Sequence, residues 1–166
     1  RASRAARGVA TLRATGARDA PPPWIASNMH EMGRLSRIVN PLMTPVTHEL
    51  MPSSAAPGQM SVRAIHEARH LLGLLPRRRL FLLGSPIAQS QSPLIHNTGF
   101  QVLGLPHVYE RFETSTVDER LVQLLHAPDF GGASVTIPLK LSIMQVLASI
   151  SPAAQVSGAV NAVVPR

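Results

Sequence analysis

Four polar side chains follow three separate apolar runs of this sequence and could together hold a small molecule. Ser90 and Ser92 supply two hydroxyls, two residues apart, at the expected amino end of a helix. Hydroxyls and free backbone N–H groups at such a position suit an anionic or polyhydroxylated ligand. Asn161 follows another apolar run, and its amide can both donate to and accept from vicinal hydroxyls. The fourth side chain, Lys140, adds an amine.

Lys140 is the only lysine among the sixteen Lys and Arg residues of the chain. Arginine stays protonated at any working pH, whereas an amine can give up and recover a proton once its surroundings lower its pKa. The choice of lysine just beyond an apolar run therefore indicates a site where a proton is transferred.

Each of these residues also has a purely structural explanation. Ser92 could serve only as a helix cap, and Asn161 could close an Asx turn. Lys140 could be a solvated residue on a helix surface. Ser90 has no evident capping role, so the functional explanation is favoured there.

An alternation of helix and strand positions these residues. The pattern predicts a helix followed by β-α-β-α-β-α-β, which is the α/β class: an open, mostly parallel sheet with helices on both faces and right-handed crossovers. Ligands of such sheets bind at the carboxyl ends of the strands. We therefore expect the site in the loops after Leu83, Val135 and Val160.

Capping residues and turn formers set the expected boundaries. Ser61 can cap a helix that Gly73 ends, and Ser92 before a proline is typical of a helix start. Thr116 with Glu119 forms a capping box that would open a helix through residue 125. We further expect strands at 80–83, 107–113, 132–137 and 159–164, and a helix from 138 to about 150.

The composition excludes several classes of protein. The chain has no cysteine, which excludes disulfides and thiolate metal sites and suits a reducing compartment, so we expect a cytoplasmic location. No apolar run approaches the ~20 residues of a membrane span. The net charge is +7, but the arginines concentrate in the first eighteen residues and at 77–79. Because no aromatic residues interleave with them, we expect no nucleic-acid partner. The lack of a long apolar run leads us to expect no membrane partner.

Four sequence blocks together resemble a known family. They are G-S-P-I-x-x-S-x-S-P-x-x-H-N from Gly84, G-L-P from Gly104, S-V-T-I-P-L-K ending at Lys140, and G-A-V-N ending at Asn161. Their order is that of the substrate-binding domain of the shikimate dehydrogenases, and they lie within residues 79–166. Jointly the blocks are highly specific, although any one alone would be weak.

The resemblance implies a role for each candidate residue. Ser90 and Ser92 would hold the substrate carboxylate, and Thr136, Lys140 and Asn161 would hold the ring hydroxyls. Lys140 would also assist transfer of the hydroxyl proton while hydride passes to NADP. The implied reaction converts 3-dehydroshikimate and NADPH into shikimate and NADP, in the shikimate pathway of aromatic amino acid biosynthesis.

The sequence departs from the family pattern at three points. Ala162 stands where the family usually has threonine. The aspartate that the family pairs with the lysine would lie beyond Arg166, and no G-x-G-x-x-G fingerprint of a dinucleotide site occurs in the chain. We therefore expect the chain, without a carboxyl-terminal NADP-binding domain, to bind shikimate or 3-dehydroshikimate, to bind no NADP, and not to turn over alone.

The preceding segment has a resemblance of its own. M-G-R-L-S-R-I-V-N-P-L-M-T-P-V-T-H and A-A-P-G-Q-M-S resemble the carboxyl-terminal end of a type I dehydroquinase, in which Arg37 and Gln59 would match residues that grip dehydroquinate. His30 stands where glycine is expected and could strain a turn. About thirty-five residues cannot close a barrel of ~250, so we expect a segment that is poorly ordered or draped on the domain.

These observations divide the chain into four parts. We expect a disordered basic arm at 1–23, a dehydroquinase remnant at 24–60, a linker helix at 61–78 and the shikimate dehydrogenase domain at 79–166. The order matches the fungal pentafunctional arom polypeptide and the related quinate repressor. The arm has the composition of a transit peptide or a linker, and a linker or an incomplete gene model is favoured.

Two other functions compete with the enzyme domain. A regulator of the quinate-repressor type would sense a pathway metabolite with the same fold, but Lys140 favours the enzyme because sensing needs no proton transfer. A translation product without a cellular role is the third interpretation. His66 and His70 have the spacing of metal ligands on a helix, but no further ligand completes a set, so we expect no metal.

Overall fold

A computed structural model describes residues 30–165 of the chain. The expected basic arm at 1–23 lies outside the described residues. The helices are α1 (Arg34–Val39), α2 (Val62–Leu71), α3 (Ser92–Leu103), α4 (Glu119–Leu125), α5 (Leu139–Ser142) and α6 (Pro152–Ser157), and 3-10 turns occur at Glu31–Gly33 and Ile143–Val146. The strands are β1 (Arg79–Gly84), β2 (Val108–Glu113), β3 (Phe130–Val135) and β4 (Ala162–Val163).

The four strands form one sheet in the order β2-β1-β3-β4. Strands β2 and β3 both run parallel to β1, whereas β4 runs antiparallel to β3. The predicted α/β class with a mostly parallel sheet is confirmed. Because β4 is antiparallel, its amino end, and not its carboxyl end, lies at the edge where β1, β2 and β3 end.

Central strand β1 explains why helices cover both faces of the sheet. Phe81 and Leu83 belong to a large cluster with residues of α4 and α5, whereas Leu82 points to the other face and packs with Ile87 and Tyr109. Successive side chains of a strand point to opposite faces, so a run that is apolar throughout needs cover on both. The predicted two-sided burial of this run is confirmed.

Helix α3 covers the second face and is tied to the edge strand β2 by one side chain. The Asn97 amide accepts a hydrogen bond from the Tyr109 N–H at 2.8 Å and donates to the Tyr109 carbonyl oxygen at 2.9 Å. His96 stacks on the Tyr109 ring with centroids 4.3 Å apart. These contacts fix α3 on β2. The loop between β1 and α3, which carries Ser90 and Ser92 and which we call the serine loop, leads into this helix.

One of the three predicted helix caps is confirmed and two are wrong. The Ser61 hydroxyl accepts from the Ala64 N–H at 3.1 Å at the start of α2. The cap position of α3 is Gln91, and Ser92 lies inside the helix. Helix α4 is capped by Asp118, whose carboxylate accepts from the Leu121 N–H at 2.9 Å, so the proposed box from Thr116 does not form.

The segments after β2 also differ from the predicted boundaries. Strand β3 covers 130–135 instead of 132–137, because Pro138 has no N–H for the sheet and the chain turns before it. The expected helix to residue 150 is only α5 with a 3-10 turn, and a separate helix, α6, follows because Pro152 disfavours helical backbone at Ser151. The final strand is two residues long, and Asn161 precedes it.

Residues 30–61 lie against α2 and do not form a separate core. Helix α1 packs on α2, and an Arg69 N–H lies 3.4 Å from the Asn40 carbonyl oxygen. His30 has φ 63° and ψ −170°, the one positive φ outside glycine within residues 30–165. The expectation of a strained turn at this position is confirmed, since side chains rarely adopt such backbone.

Three histidines lie near one another: His66 and His70 of α2, and His107 just before β2. The Arg78 N–H donates to His107 Nδ1 at 3.3 Å, and His66 Nδ1 lies 2.7 Å from the Leu103 carbonyl oxygen. Burial, followed by the positive charges of Arg78, His66 and His70, holds the pKa of the His107 imidazole below its usual range. A neutral His107 is what the hydrogen bond from Arg78 requires, since Nδ1 must accept.

Candidate functional site

The three segments singled out in the sequence meet at one edge of the sheet. Strand β1 ends there at Gly84 and β3 ends there at Val135, and β4 begins there after Asn161. Backbone hydrogen bonds join the three segments, because the Thr136 N–H donates to the Leu83 carbonyl oxygen and the Val135 N–H donates to the Asn161 carbonyl oxygen, both at 2.8 Å. We call this edge the rim.

Gly84 allows the first two segments to approach closely. It has φ +147°, and a Cβ at this position would lie 2.5 Å from Thr136 Cγ2 and 2.6 Å from the Ile137 carbonyl oxygen. The Ser85 N–H donates to that same carbonyl at 2.9 Å. A residue with a side chain would therefore push the serine loop away from the Thr136 loop.

The amine and the amide form a direct pair across the rim. Lys140 Nζ donates to Asn161 Oδ1 at 2.6 Å, although the two residues are twenty-one positions apart and lie on different elements. The backbone supports the pair, since the Val160 N–H donates to the Lys140 carbonyl oxygen at 2.9 Å. Lys140 is half-buried and Asn161 is exposed, so the pair is open to a ligand from solvent.

The two serines form a second pair in the loop between β1 and α3. The Ser90 hydroxyl donates to the Ser92 hydroxyl at 3.2 Å and accepts from the Ser92 N–H at 3.3 Å. Ser90, and not Ser92, therefore satisfies a free N–H in the first turn of α3. Both serines are half-buried.

Two side chains of β2 hold this loop and were missed in the sequence. The Arg111 guanidinium donates to the Ser90 carbonyl oxygen at 2.5 Å, and the Ser85 hydroxyl donates to Glu113 at 3.3 Å. The signal that could have revealed them is the alternation of β2, which places both on the face of Tyr109, beneath α3.

Five of the seven predicted site residues thus lie along the rim. Ser90 contacts Ser92, and Lys140 contacts Asn161, while Thr136 joins the neighbouring loop through its backbone. The other two, Arg37 and Gln59, lie in the segment before α2. Arg37 is buried, and one of its N–H groups lies 3.4 Å from the Pro45 carbonyl oxygen, while Gln59 accepts from the Ala56 N–H.

A cavity of about 1030 Å³ lies at the other side of β4, away from the serine loop. It is lined mainly by apolar side chains of α4, β3, α6 and β4, and Asn161 is the single predicted rim residue that reaches it. Its lining suits an apolar occupant better than a polyhydroxylated one. The cavity therefore adjoins the rim at Asn161 but includes no residue of the serine loop or of the Thr136 loop.

Two kinds of site are absent from the part of the chain that the structure describes. No three His, Asp or Glu side chains there are placed to hold a metal ion. No described helix combines the length and the apolar character needed to cross a membrane.

Comparison of the sequence with models of known protein families identifies the domain that contains the rim. Residues 82–163 match the family model of the shikimate dehydrogenase substrate binding domain. This stretch is a shikimate dehydrogenase substrate-binding domain. Residues 8–76 match the model of type I 3-dehydroquinase, so the two matches are separated by residues 77–81, at the start of β1.

The curated relatives carry both families in one polypeptide. The pentafunctional AROM polypeptide of Malassezia globosa is 67% identical over 156 residues, which are 94% of this chain and 10% of that protein. The AROM polypeptide of Schizosaccharomyces pombe is 53% identical over 143 residues, which are 86% of this chain and 9% of that protein. The chain thus spans about a tenth of the relatives that it matches.

The solved structure of one AROM relative gives the same result. The dehydroquinate dehydratase and shikimate dehydrogenase part of S. pombe AROM is 52% identical with a TM-score of 0.77, over 84% of this chain and 26% of that one. The shikimate dehydrogenase of Thermus thermophilus, solved in complex with NADP(H) and shikimate, is 38% identical with a TM-score of 0.49, over 52% of this chain and 33% of that one.

Proposed function

We propose that the rim of this shikimate dehydrogenase domain binds shikimate and 3-dehydroshikimate. The observation that carries the proposal is the 2.6 Å hydrogen bond from Lys140 Nζ to Asn161 Oδ1. It brings together an amine and an amide from separate elements, beside a loop with two paired hydroxyls. A ligand with a carboxylate at one end and adjacent hydroxyls at the other has partners of the right kind at both places.

The Lys140 and Asn161 pair suits the hydroxyl end of the ligand. The ammonium has three donors and uses one on the Asn161 oxygen, so two remain for ligand oxygens. With its oxygen engaged, the Asn161 amide keeps its two N–H donors. Thr136 adds a hydroxyl at the adjacent strand end. We assign the ring hydroxyls, and the keto oxygen of 3-dehydroshikimate, to these three side chains.

The Ser90 and Ser92 pair suits the carboxylate end. Two hydroxyls stand at the amino end of the twelve-residue helix α3, where backbone N–H groups and the helix dipole favour negative charge. Arg111 donates to the Ser90 carbonyl oxygen and so adds a cation to the same loop. The ligand would then lie with its carboxylate toward the serine loop and its hydroxyls toward Lys140.

The residues of this chain do not fit NADP. A dinucleotide site uses glycines in the first turn after a strand so that phosphates can approach a helix that starts at once. Here Gly84, the last residue of β1, allows the close contact with Thr136 and Ile137, and α3 begins only at Ser92. We infer that dehydrogenation needs a nucleotide-binding domain outside these 166 residues, and that this chain contributes substrate binding and a proton held at Lys140 Nζ.

The dehydroquinase part is proposed as a remnant without activity in this chain. Lys140 is the only lysine, and it lies outside the 8–76 match, so no amine is present there to form a Schiff base. The Arg37 Nε is buried and has no hydrogen-bond partner, as expected of a donor that once bound a ligand in the complete dehydroquinase. We place this chain in the cytoplasm, in keeping with the lack of cysteine in its 166 residues.

Titration of the isotope-labelled chain with shikimate tests this function. We expect shifts of the Ser90, Thr136 and Asn161 amides, and we expect Lys140→Ala to weaken binding by roughly 1 to 3 kcal/mol, the loss for a hydrogen bond to a charged group. Arg120→Ala is the matched control, because Arg120 belongs to α4 and packs over the Phe112 ring, outside the three segments that form the rim. Unchanged affinity in Lys140→Ala would contradict the proposal.

A second assay tests the role of this chain in turnover. Mixing the chain with shikimate and NADP should give no increase in NADPH absorbance. Reduction of NADP by these 166 residues alone would refute the statement that the nucleotide site lies elsewhere.

A further inference from the structure

The serine loop between β1 and α3 is held from below by the edge strand β2. The Arg111 guanidinium donates to the Ser90 carbonyl oxygen, and the Ser85 hydroxyl donates to Glu113. Ser85 and Ser90 lie near the two ends of the loop, and both partners come from one strand. The loop is thus tethered at two points to the same rigid element.

Arg111 acts on the residue that organises the serine pair. The Ser90 hydroxyl donates to the Ser92 hydroxyl and accepts from the Ser92 N–H, so the orientation of Ser90 decides where both hydroxyls stand. The carbonyl that Arg111 holds belongs to this same residue. Fixing that carbonyl therefore fixes the peptide plane that follows Ser90 and limits how Ser90 can turn.

Arg111 also places a positive charge beside the serine loop. The other charged side chain that forms a hydrogen bond to this loop is Glu113, which is negative. Glu113 lies two residues along β2 on the same face, and no other acid or base forms a hydrogen bond to the loop among residues 30–165. Without Arg111, the Glu113 carboxylate would be left as the one charge bonded to the loop. An anionic ligand group would then meet net repulsion at the place where the serines would bind it.

We propose that Arg111 is the positioning residue of the carboxylate subsite: it holds the Ser90 carbonyl, orients the two serine hydroxyls and offsets the Glu113 charge. The proposal rests on the proposed function for its ligand, a carboxylate. Arg111 forms a hydrogen bond to the backbone and acts on the ligand only through the positions of the two serine hydroxyls and through its charge. It therefore favours ligands that carry a carboxylate over neutral analogues of the same ring.

The ligand-free chain gives a first test that needs no binding. In Arg111→Ala, the Ser90 and Ser92 amide resonances should move and their hydrogen exchange should become faster. In Arg77→Ala, which removes the same charge from the opposite end of β1, they should not change. If both variants leave the two amides unaltered, Arg111 does not position the serines, whether or not the chain binds shikimate.

Calorimetry with two ligands gives the second test. Arg111→Ala should weaken shikimate binding about tenfold, whereas binding of shikimate methyl ester, which lacks the anionic carboxylate, should change less than twofold. Arg111→Lys, which keeps the cation, should recover most of the loss. An equal loss for both ligands would indicate a general structural effect and overturn the proposal.

The two tests separate this inference from the proposed function. If the parent chain binds neither ligand while the Ser90 and Ser92 amides respond to Arg111→Ala, the positioning role stands and the proposed ligand is wrong. If the parent binds shikimate and Arg111→Ala binds it equally well, the proposed function stands and the role of Arg111 is wrong.

Discussion

The contact at Gly84 predicts a large loss of stability in Gly84→Ala. The added Cβ would lie 2.5 Å from Thr136 Cγ2 and 2.6 Å from the Ile137 carbonyl oxygen, at a φ of +147° that side chains rarely adopt. Backbone strain and overpacking together cost about 2 to 5 kcal/mol. Because Thr136 must move, we also expect weaker shikimate binding by the folded variant. Urea unfolding and calorimetry measure the two effects.

Gly73→Ala provides the matched control for this prediction. Gly73 also has a positive φ, +71°, but no atom lies within 4 Å of a Cβ built there. The control should lose only the conformational cost, about 1 to 2 kcal/mol. The excess loss in Gly84→Ala therefore measures the close approach of the two loops. Equal losses in the two variants would refute the claim that this glycine joins the serine loop to the Thr136 loop.

Three further predictions concern features away from the ligand. His30→Gly should stabilise the chain by about 1 kcal/mol in thermal unfolding, because it relieves the positive φ, whereas His30→Ala should not. Folding stability should fall as the pH drops below about 6.5, because His107 has a lowered pKa and the unfolded chain takes up the proton first. This slope should be smaller in His107→Gln, and an unchanged slope would count against it. Asp118→Ala should cost about 1 kcal/mol and Thr116→Ala much less, as measured by urea unfolding.

The sequence was sufficient to predict the class of fold, because its strongest signals are local. The run Leu80 to Leu83 is apolar at every position, which indicates burial on both faces, and β1 is the central strand of the sheet. Helix starts were harder, since several hydroxyls and carboxylates compete within a few residues. Asp118 caps α4 in the structure, whereas the sequence also offered Thr116 two positions earlier. No local sequence pattern distinguishes the two candidates.

The length and direction of the last strand could not be predicted from the sequence. Residues 159–164 favour β structure, but only Ala162 and Val163 pair with β3, and they do so antiparallel. Direction and length of pairing depend on neighbours distant in the chain, so periodicity cannot give them. Because β4 runs antiparallel to β3, Asn161 lies at the same edge of the sheet as Lys140 and can pair with it.

The residues of the candidate site stood out in the sequence, whereas the residues that hold them in place did not. Lys140 stood out because it is the only lysine. Ser90 stood out because the sequence indicates no capping role for it, although in the structure its hydroxyl accepts from the Ser92 N–H. Arg111 is one of fifteen arginines and has no such contrast in composition. Its importance comes from a hydrogen bond to a backbone carbonyl twenty-one residues away, which only the fold reveals.

A crystal structure of the chain soaked with shikimate tests the central claim most directly. We predict ligand density at the rim, with the carboxylate within hydrogen-bond distance of the Ser90 and Ser92 hydroxyls and the ring hydroxyls on Lys140 and Asn161. Density in the apolar cavity beyond β4, or a ligand at the rim with its carboxylate on Lys140, would contradict the account.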